Sequence, residues 1–241
     1  MASDEDLTMI RKFWAKSFLL VALFGAAMPV SAAEITSPAK QAHITDFETG
    51  KVLFSKNADA PMKPASMAKI MTIFVAFQRI ADGQLSMDDK FTISEKAWKK
   101  GGSRTFLEVG RTVSVRELLH GIVVQSGNDA AIVLAEGISG TENAFADEMN
   151  FWAKKIGMKN TNFRNSTGWP DPDLTTTAAD LNIMTTELIR RFPAVKYPDL
   201  YPIFAKREYT YNKIRQPNRN PLVYGTAGAD GLKTGHTEES G

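Results

Sequence analysis

Cysteine is absent from the 241 residues. That excludes a disulfide framework, a thiolate nucleophile and any cysteine-based zinc site. Histidine is scarce. His43, His120 and His236 are scattered along the chain, so neither a metal site nor another cofactor is expected. Charge of either sign is not in excess: 29 Lys and Arg against 27 Asp and Glu give a net +2. No basic run interleaves with aromatics, so nucleic acid is not an expected partner. There is no internal repeat and no low-complexity segment. With 43% hydrophobic and 23% charged residues, the composition suits one globular domain whose core stands without staples.

The chain also lacks an apolar run long enough to read as a membrane span. The longest, Ser17 to Val30, follows Arg11, Lys12 and Lys16 and is followed by Ser31-Ala-Ala33. A basic start, a short apolar stretch and small residues after it form the pattern of a cleavable secretory signal. Residues 1–33 are therefore expected to be a signal peptide, with an uncut N-terminal anchor as the alternative, and 34–241 the folded domain. Asp4, Glu5 and Asp6 put acid where a signal wants base, and a translation start at Met9 would remove them.

What is present is a series of periodic segments. Ala42–Phe47 and Lys51–Ser55 flank Glu48-Thr-Gly50 and read as a hairpin. Ser66 to Ile80 reads as a helix apolar on nearly all sides, hence buried. Ser114-Val-Arg-Glu117 has capping-box spacing and opens a helix to Val124. Ser126-Gly-Asn128 interrupts it, and Asp129 to Glu136 resumes, closed by Gly137. Thr141 caps a helix that Gly157 ends, and Thr177 starts another that Pro193 stops. Tryptophans and methionines are expected in the core. Glu208–Asn212 and Gly231–Gly235 read as strands. The layout is α/β (α+β): an antiparallel sheet built from both ends of the chain, flanked by helices, with a helical subdomain.

Three short patterns carry chemistry: Ser66-Met-Ala-Lys69, Ser126-Gly-Asn128 and Lys233-Thr-Gly235. Each alone is weak, since Ser37-Pro-Ala-Lys40 repeats the first pattern without an apolar helix behind it. In Ser66 the hydroxyl becomes a good nucleophile only when a base takes its proton. Lys69 lies one turn on and serves if burial and a second cation lower its pKa; Lys233 could be that cation. Ser126 offers a hydroxyl to relay a proton to a leaving amine. Asn128 offers an amide to hold substrate or Lys69. Lys233 and Thr234 suit an anionic group, and Gly235 leaves room for a substrate laid along a strand edge.

In this order and context the patterns resemble the low-molecular-mass penicillin-binding proteins, the serine D-alanyl-D-alanine carboxypeptidases related to the beta-lactamases. The resemblance runs from about residue 35 to the end. It includes Pro64–Lys69, Leu118–Ala130, Asn165-Ser-Thr-Gly-Trp169, Thr176–Asp180, Asn218-Arg-Asn220 and Asp230–Thr237. It implies Ser66 as the acylated nucleophile, Lys69 as its base and Ser126 as the proton relay, with Asn128 supporting. Lys233, Thr234, Gly235 and Arg219 would bind substrate. The backbone N–H groups of Ser66 and His236 would form the oxyanion hole. A beta-lactamase/transpeptidase-like fold is implied.

The expected activity is removal of terminal D-alanine from peptidoglycan stem peptides in the periplasm, at the outer face of the inner membrane, with inhibition by beta-lactams. A D,D-endopeptidase acting on cross-linked stems is the near rival. A non-catalytic penicillin-binding or sensing module is the distant one. No E-x-x-L-N stands between Ser126 and Lys233, which disfavours a class A beta-lactamase. The family continues beyond the K-T-G strand with further strands, a helix and often a membrane anchor. The expectation is therefore a domain truncated at its C-terminus and weakly stable, with any membrane association residing in an anchor outside this chain.

Overall fold

A computed structural model describes residues 35–238. The signal-peptide assignment of residues 1–33 lies outside them. The unit described below begins at Pro38.

β1 (Ala42–Thr45) pairs antiparallel with β2 (Val52–Lys56), as the turn residues predict. Asp46 organises the turn by accepting the Thr49 N–H at 2.8 Å, and Gly50 takes a φ of 71°. Beyond the hairpin lies a 3-10 turn (Ala65–Ala68), then α1 (Lys69–Ala81). Ser66 thus stands on the tighter turn and not inside the α-helix predicted from residue 66. The reason is local: Ala65 has a φ of 47°, which an α-helix cannot use. Every residue from Lys69 to Phe77 is buried, so α1 is the axis of the domain. Edge-to-face contacts of Phe74 with Trp152 and Phe192, and of Phe77 with Phe192 and Phe204, surround it.

β3 (Lys90–Thr92), α2 (Glu95–Lys99) and β4 (Thr112–Ser114) follow; none was foreseen. β3 pairs with β4 and delivers the chain to α3 (Val115–Gln125). The capping box is present: the Glu117 N–H donates to Ser114 Oγ, and Glu117 Oε2 accepts the Ser114 N–H at 2.9 Å. α4 (Asn128–Ser139) comes after a two-residue break at Ser126 and Gly127. Gly137 does not close it. It lies within the helix because its missing Cβ makes room for the Phe91 ring, which an added Cβ would approach to 2.2 Å. Gly140, at φ 78°, makes the exit. Thr141 caps α5 (Glu142–Ile156) and left-handed Gly157 ends it; Thr177 caps α6 (Ala178–Arg191), all as predicted.

A second 3-10 turn (Tyr201–Ala205), β5 (Glu208–Tyr211), β6 (Ile214–Pro217) and the single turn α7 (Leu222–Gly225) complete the order. The strands make three two-stranded antiparallel sheets among the described residues, where one sheet was expected. Gly231–Gly235, predicted as a strand, has no ladder partner among them. Its neighbours include the Asn220 side chain, the 3-10 turn at Ser66 and the side chains of Tyr201 and Phe204, and none of these presents a row of backbone groups. The core expectation also needs correcting for tryptophan: Trp152 is buried, but Trp98 and Trp169 are exposed. No described helix is long and apolar enough to cross a membrane.

Candidate active site

The site grows from the 3-10 turn and the first turn of α1. Lys69 is completely buried, yet its ammonium nitrogen has three oxygen neighbours. Ser66 Oγ lies at 3.1 Å, Asn128 Oδ1 at 2.8 Å and the carbonyl oxygen of Thr167 at 2.7 Å. Burial pushes its pKa well below the usual lysine value. The nearby cations Lys233, Arg219 and Lys100 push the same way, while the Asp129 carboxylate opposes them. A neutral amine has two N–H groups and one lone pair. In that form, with Asn128 and Thr167 taking the two hydrogens, the lone pair would accept the Ser66 hydroxyl; in the charged form the third hydrogen is donated to Ser66 Oγ.

Ser126 sits where α3 ends, at φ 59° and ψ 32° in the left-handed region. That conformation costs a non-glycine residue about 1–2 kcal/mol. Its hydroxyl is buried and finds no hydrogen-bond partner among the described residues. Strain and an unsatisfied buried donor at one residue mark a position shaped for something other than stability. Two residues on, Asn128 is held at both ends of its amide, accepting from Lys69 and donating to the carbonyl of Gly101 at 2.8 Å.

Asp129 was not singled out in the sequence. Its buried carboxylate accepts the backbone N–H groups of Thr105, Phe106 and Leu107 at 2.8, 2.9 and 3.2 Å. It thereby ties the 101–107 loop to α4. The loop lies so close that a Cβ on Gly121 or Gly127 would meet Thr105 Oγ1 at 2.3 and 2.2 Å.

The third wall is the 231–236 segment. Gly235 lies against the Ser66 turn: a Cβ there would stand 3.0 Å from the Pro64 carbonyl oxygen and 3.1 Å from Met67 Cγ. Lys233 donates to the Thr234 carbonyl at 2.9 Å. Burial first, and the Arg219 charge second, push its pKa down to about 7. Asn220 donates to the Gly231 carbonyl at 2.9 Å, joining the Asn218-Arg-Asn220 loop to this segment. Arg219, whose side chain is exposed, donates to Ser103 Oγ at 2.6 Å. His236 follows, with an exposed side chain.

The fold therefore joins Ser66, Lys69 and Asn128 directly. It brings Lys233 and Arg219 within electrostatic reach of Lys69 and sets Gly235 on the Ser66 turn. The hydroxyl of Ser126 makes no hydrogen bond to Ser66 or Lys69. Sequence reasoning missed the Thr167 carbonyl, Asp129 and Ser103. A backbone carbonyl leaves no trace in a sequence. Asp129 left one, as an acid in the first turn of a helix directly after a motif.

A family model described as D-alanyl-D-alanine carboxypeptidase matches residues 27–241. The chain is 41% identical over 207 residues to the Bacillus subtilis D-alanyl-D-alanine carboxypeptidase DacF, covering 86% of this chain and 53% of that protein. The crystal structure of the D-alanyl-D-alanine carboxypeptidase DacD from Francisella tularensis superposes with a TM-score of 0.79 at 34% identity, covering 86% of this chain and 62% of that one. Penicillin-Binding Protein D2 of Listeria monocytogenes, in its cefotaxime-bound form, superposes at 0.74 and 30% identity, over 86% and 83% of the two chains. The fold is that of the penicillin-binding proteins. The chain spans about half the length of the curated relatives it matches.

Proposed function

This chain belongs to the D-alanyl-D-alanine carboxypeptidase family, Peptidase S11, and on that footing we propose that it is a serine D,D-carboxypeptidase with Ser66 as nucleophile. The observation that carries the proposal is the buried Lys69, whose amine stands 3.1 Å from Ser66 Oγ with its other two neighbours fixed. A lysine whose pKa is held well below the usual value, by burial first and by neighbouring cations second, can serve as a general base.

In the proposed cycle Lys69 takes the Ser66 proton as Oγ attacks the penultimate D-alanine carbonyl of a peptidoglycan stem. The N–H groups of Ser66 and His236 hold the oxyanion. As the C–N bond breaks, the departing D-alanine amine receives the proton through Ser126. Lys233, Thr234 and Arg219 hold its carboxylate, and Gly235 lets the peptide lie along the 231–236 segment. Water then attacks the ester on Ser66, returning the hydroxyl. A beta-lactam would acylate Ser66 in the same way, but its opened ring stays attached and the ester persists.

We further propose that the protein is exported and works in the periplasm. The support is the basic, apolar and small-residue succession of residues 11–33.

Mass spectrometry after penicillin treatment tests the nucleophile. An adduct on the peptide holding Ser66 supports it, and an adduct on Ser37, or none, sinks it. Steady D-alanine release from a pentapeptide separates the enzyme from a non-catalytic binding module. Cleavage of cross-linked stem dimers would favour an endopeptidase.

A further inference from the structure

Lys69 depends on a carbonyl that none of the three chemistry-bearing patterns supplies, that of Thr167. The surroundings of the preceding residue explain how this carbonyl is held. Glu142, the first residue of α5, turns a buried carboxylate onto Ser166. Its Oε1 accepts the Ser166 hydroxyl at 2.8 Å and the Ser166 N–H at 3.2 Å, and Oε2 pairs with Lys96 at 2.8 Å. From the other side Thr72, three residues beyond Lys69 on α1, donates to the Ser166 carbonyl at 2.7 Å. The next carbonyl along is the one that meets Lys69. Gly168 closes the set, packed so tightly on Ala65 that a Cβ would fall 1.8 Å from its carbonyl oxygen.

We propose that Glu142 is a positioning residue for the Ser66–Lys69 pair, acting through Ser166 to fix the Thr167 carbonyl on the lysine nitrogen. Glu142 touches neither reacting group. Its effect is transmitted through two adjacent peptide units clamped between α1 and α5. A buried carboxylate with a serine, an N–H and an ammonium on it is costly to maintain unless all three bonds are kept. Lys96 alone could be served at the surface, but the bonds to Ser166 require the buried position. Holding the Thr167 acceptor in place keeps one amine hydrogen occupied and so keeps the lone pair aimed at Ser66. Misplacement by about 1 Å at such a point costs on the order of 100-fold in rate.

The inference rests on the proposed role of Lys69, so it is tested by one readout that needs no turnover and one that does. The charged groups acting on Lys69 are Lys233, Arg219, Lys100 and Asp129; those around Glu142 are Lys96 and Lys100. A carbonyl acceptor favours the ammonium form. Removing it therefore lowers the Lys69 pKa further. In the full chain, the Lys69 Cε carbon-13 shift is followed against pH for wild type, E142A, E142Q and S166A. Glutamine keeps an acceptor for Ser166 without the charge, and S166A keeps the charge while losing the hydroxyl bond. The expected result is a midpoint lowered in E142A, lowered less in S166A and close to wild type in E142Q. Penicillin acylation should slow by roughly 10- to 100-fold in E142A, with the acid limb moved to lower pH and the prior binding constant unchanged.

An unchanged Lys69 midpoint in both E142A and S166A overturns the inference, as does an E142Q midpoint that falls as far as that of E142A. Wild type that is never acylated, with the midpoints shifted as expected, overturns the function proposed for Ser66 and leaves the positioning role standing.

Discussion

The carboxylate of Asp129 accepts the backbone N–H of Thr105 at 2.8 Å, across 24 positions of sequence. Two further N–H groups of the same loop point at it, and one carboxylate therefore sets the wall that carries Gly101 and Ser103, the partners of Asn128 and Arg219. D129A leaves those N–H groups buried without an acceptor. It is expected to lower stability by about 2–4 kcal/mol, read as a denaturant midpoint shift at unchanged slope. A loss under about 0.5 kcal/mol, the scale of an ordinary surface change, would contradict this account of the loop.

Lys69 can act as a base only if it can exist neutral. Arginine at that position stays charged at any workable pH. K69R should therefore lose penicillin acylation by at least about 100-fold, and K69M should lose as much while keeping the fold. Equal labelling of K69R and wild type would show that the proton of Ser66 goes elsewhere.

The two lysines with lowered pKa also make stability depend on pH. The folded pKa of Lys233 is pushed down to about 7 from an ordinary 10.5. Between those values the unfolded chain binds a proton that the folded chain does not, so stability rises with pH across that window and is lost as pH falls toward 7. Lys69 acts in the same direction. The thermal midpoint of K233M should rise less steeply between pH 7 and 9 than that of wild type. For acylation, loss of the Lys233 charge predicts an alkaline limb near pH 7 that K233R moves upward. A limb that K233R leaves in place would assign it to another group.

Ser126 combines a left-handed backbone with a buried hydroxyl that finds no partner among the described residues. Glycine removes both costs. S126G is expected to raise stability by about 1 kcal/mol while slowing acylation by roughly 100-fold. Calorimetry and penicillin labelling on one preparation would check both, and a variant less stable than wild type would show that the serine is structural.

The sequence made the helices legible where a cap or a terminator stood alone in its role, as at Ser114, Thr141, Gly157 and Thr177. It misled at Gly137, because a glycine that admits Phe91 looks no different in a string of letters from one that ends a helix. β3 and β4 have three residues each, too short to display a period of two. Gly231–Gly235 alternates like a strand, but a strand also needs a partner, and pairing is not a property of the segment. In the site, Ser66, Lys69 and Asn128 were legible because side-chain chemistry fixes their spacing. The Thr167 carbonyl, 98 positions from Lys69, was not, since any residue could supply it. Glu142 was hidden for a related reason: it serves the site through Ser166, and the pair means nothing until α5 packs against α1.

Gly168 and Ala65 meet main chain to main chain. This contact sets how closely the Ser66 turn and the loop that meets Lys69 approach, alongside the side-chain bonds of Thr72 and Glu142. Successive substitutions in the core can change volumes around this contact without widening it, provided position 168 stays free of a Cβ. The approach of this loop to the Ser66 turn is in that sense insulated from drift elsewhere in the domain. A single change at position 168 has no neighbouring change that could absorb it.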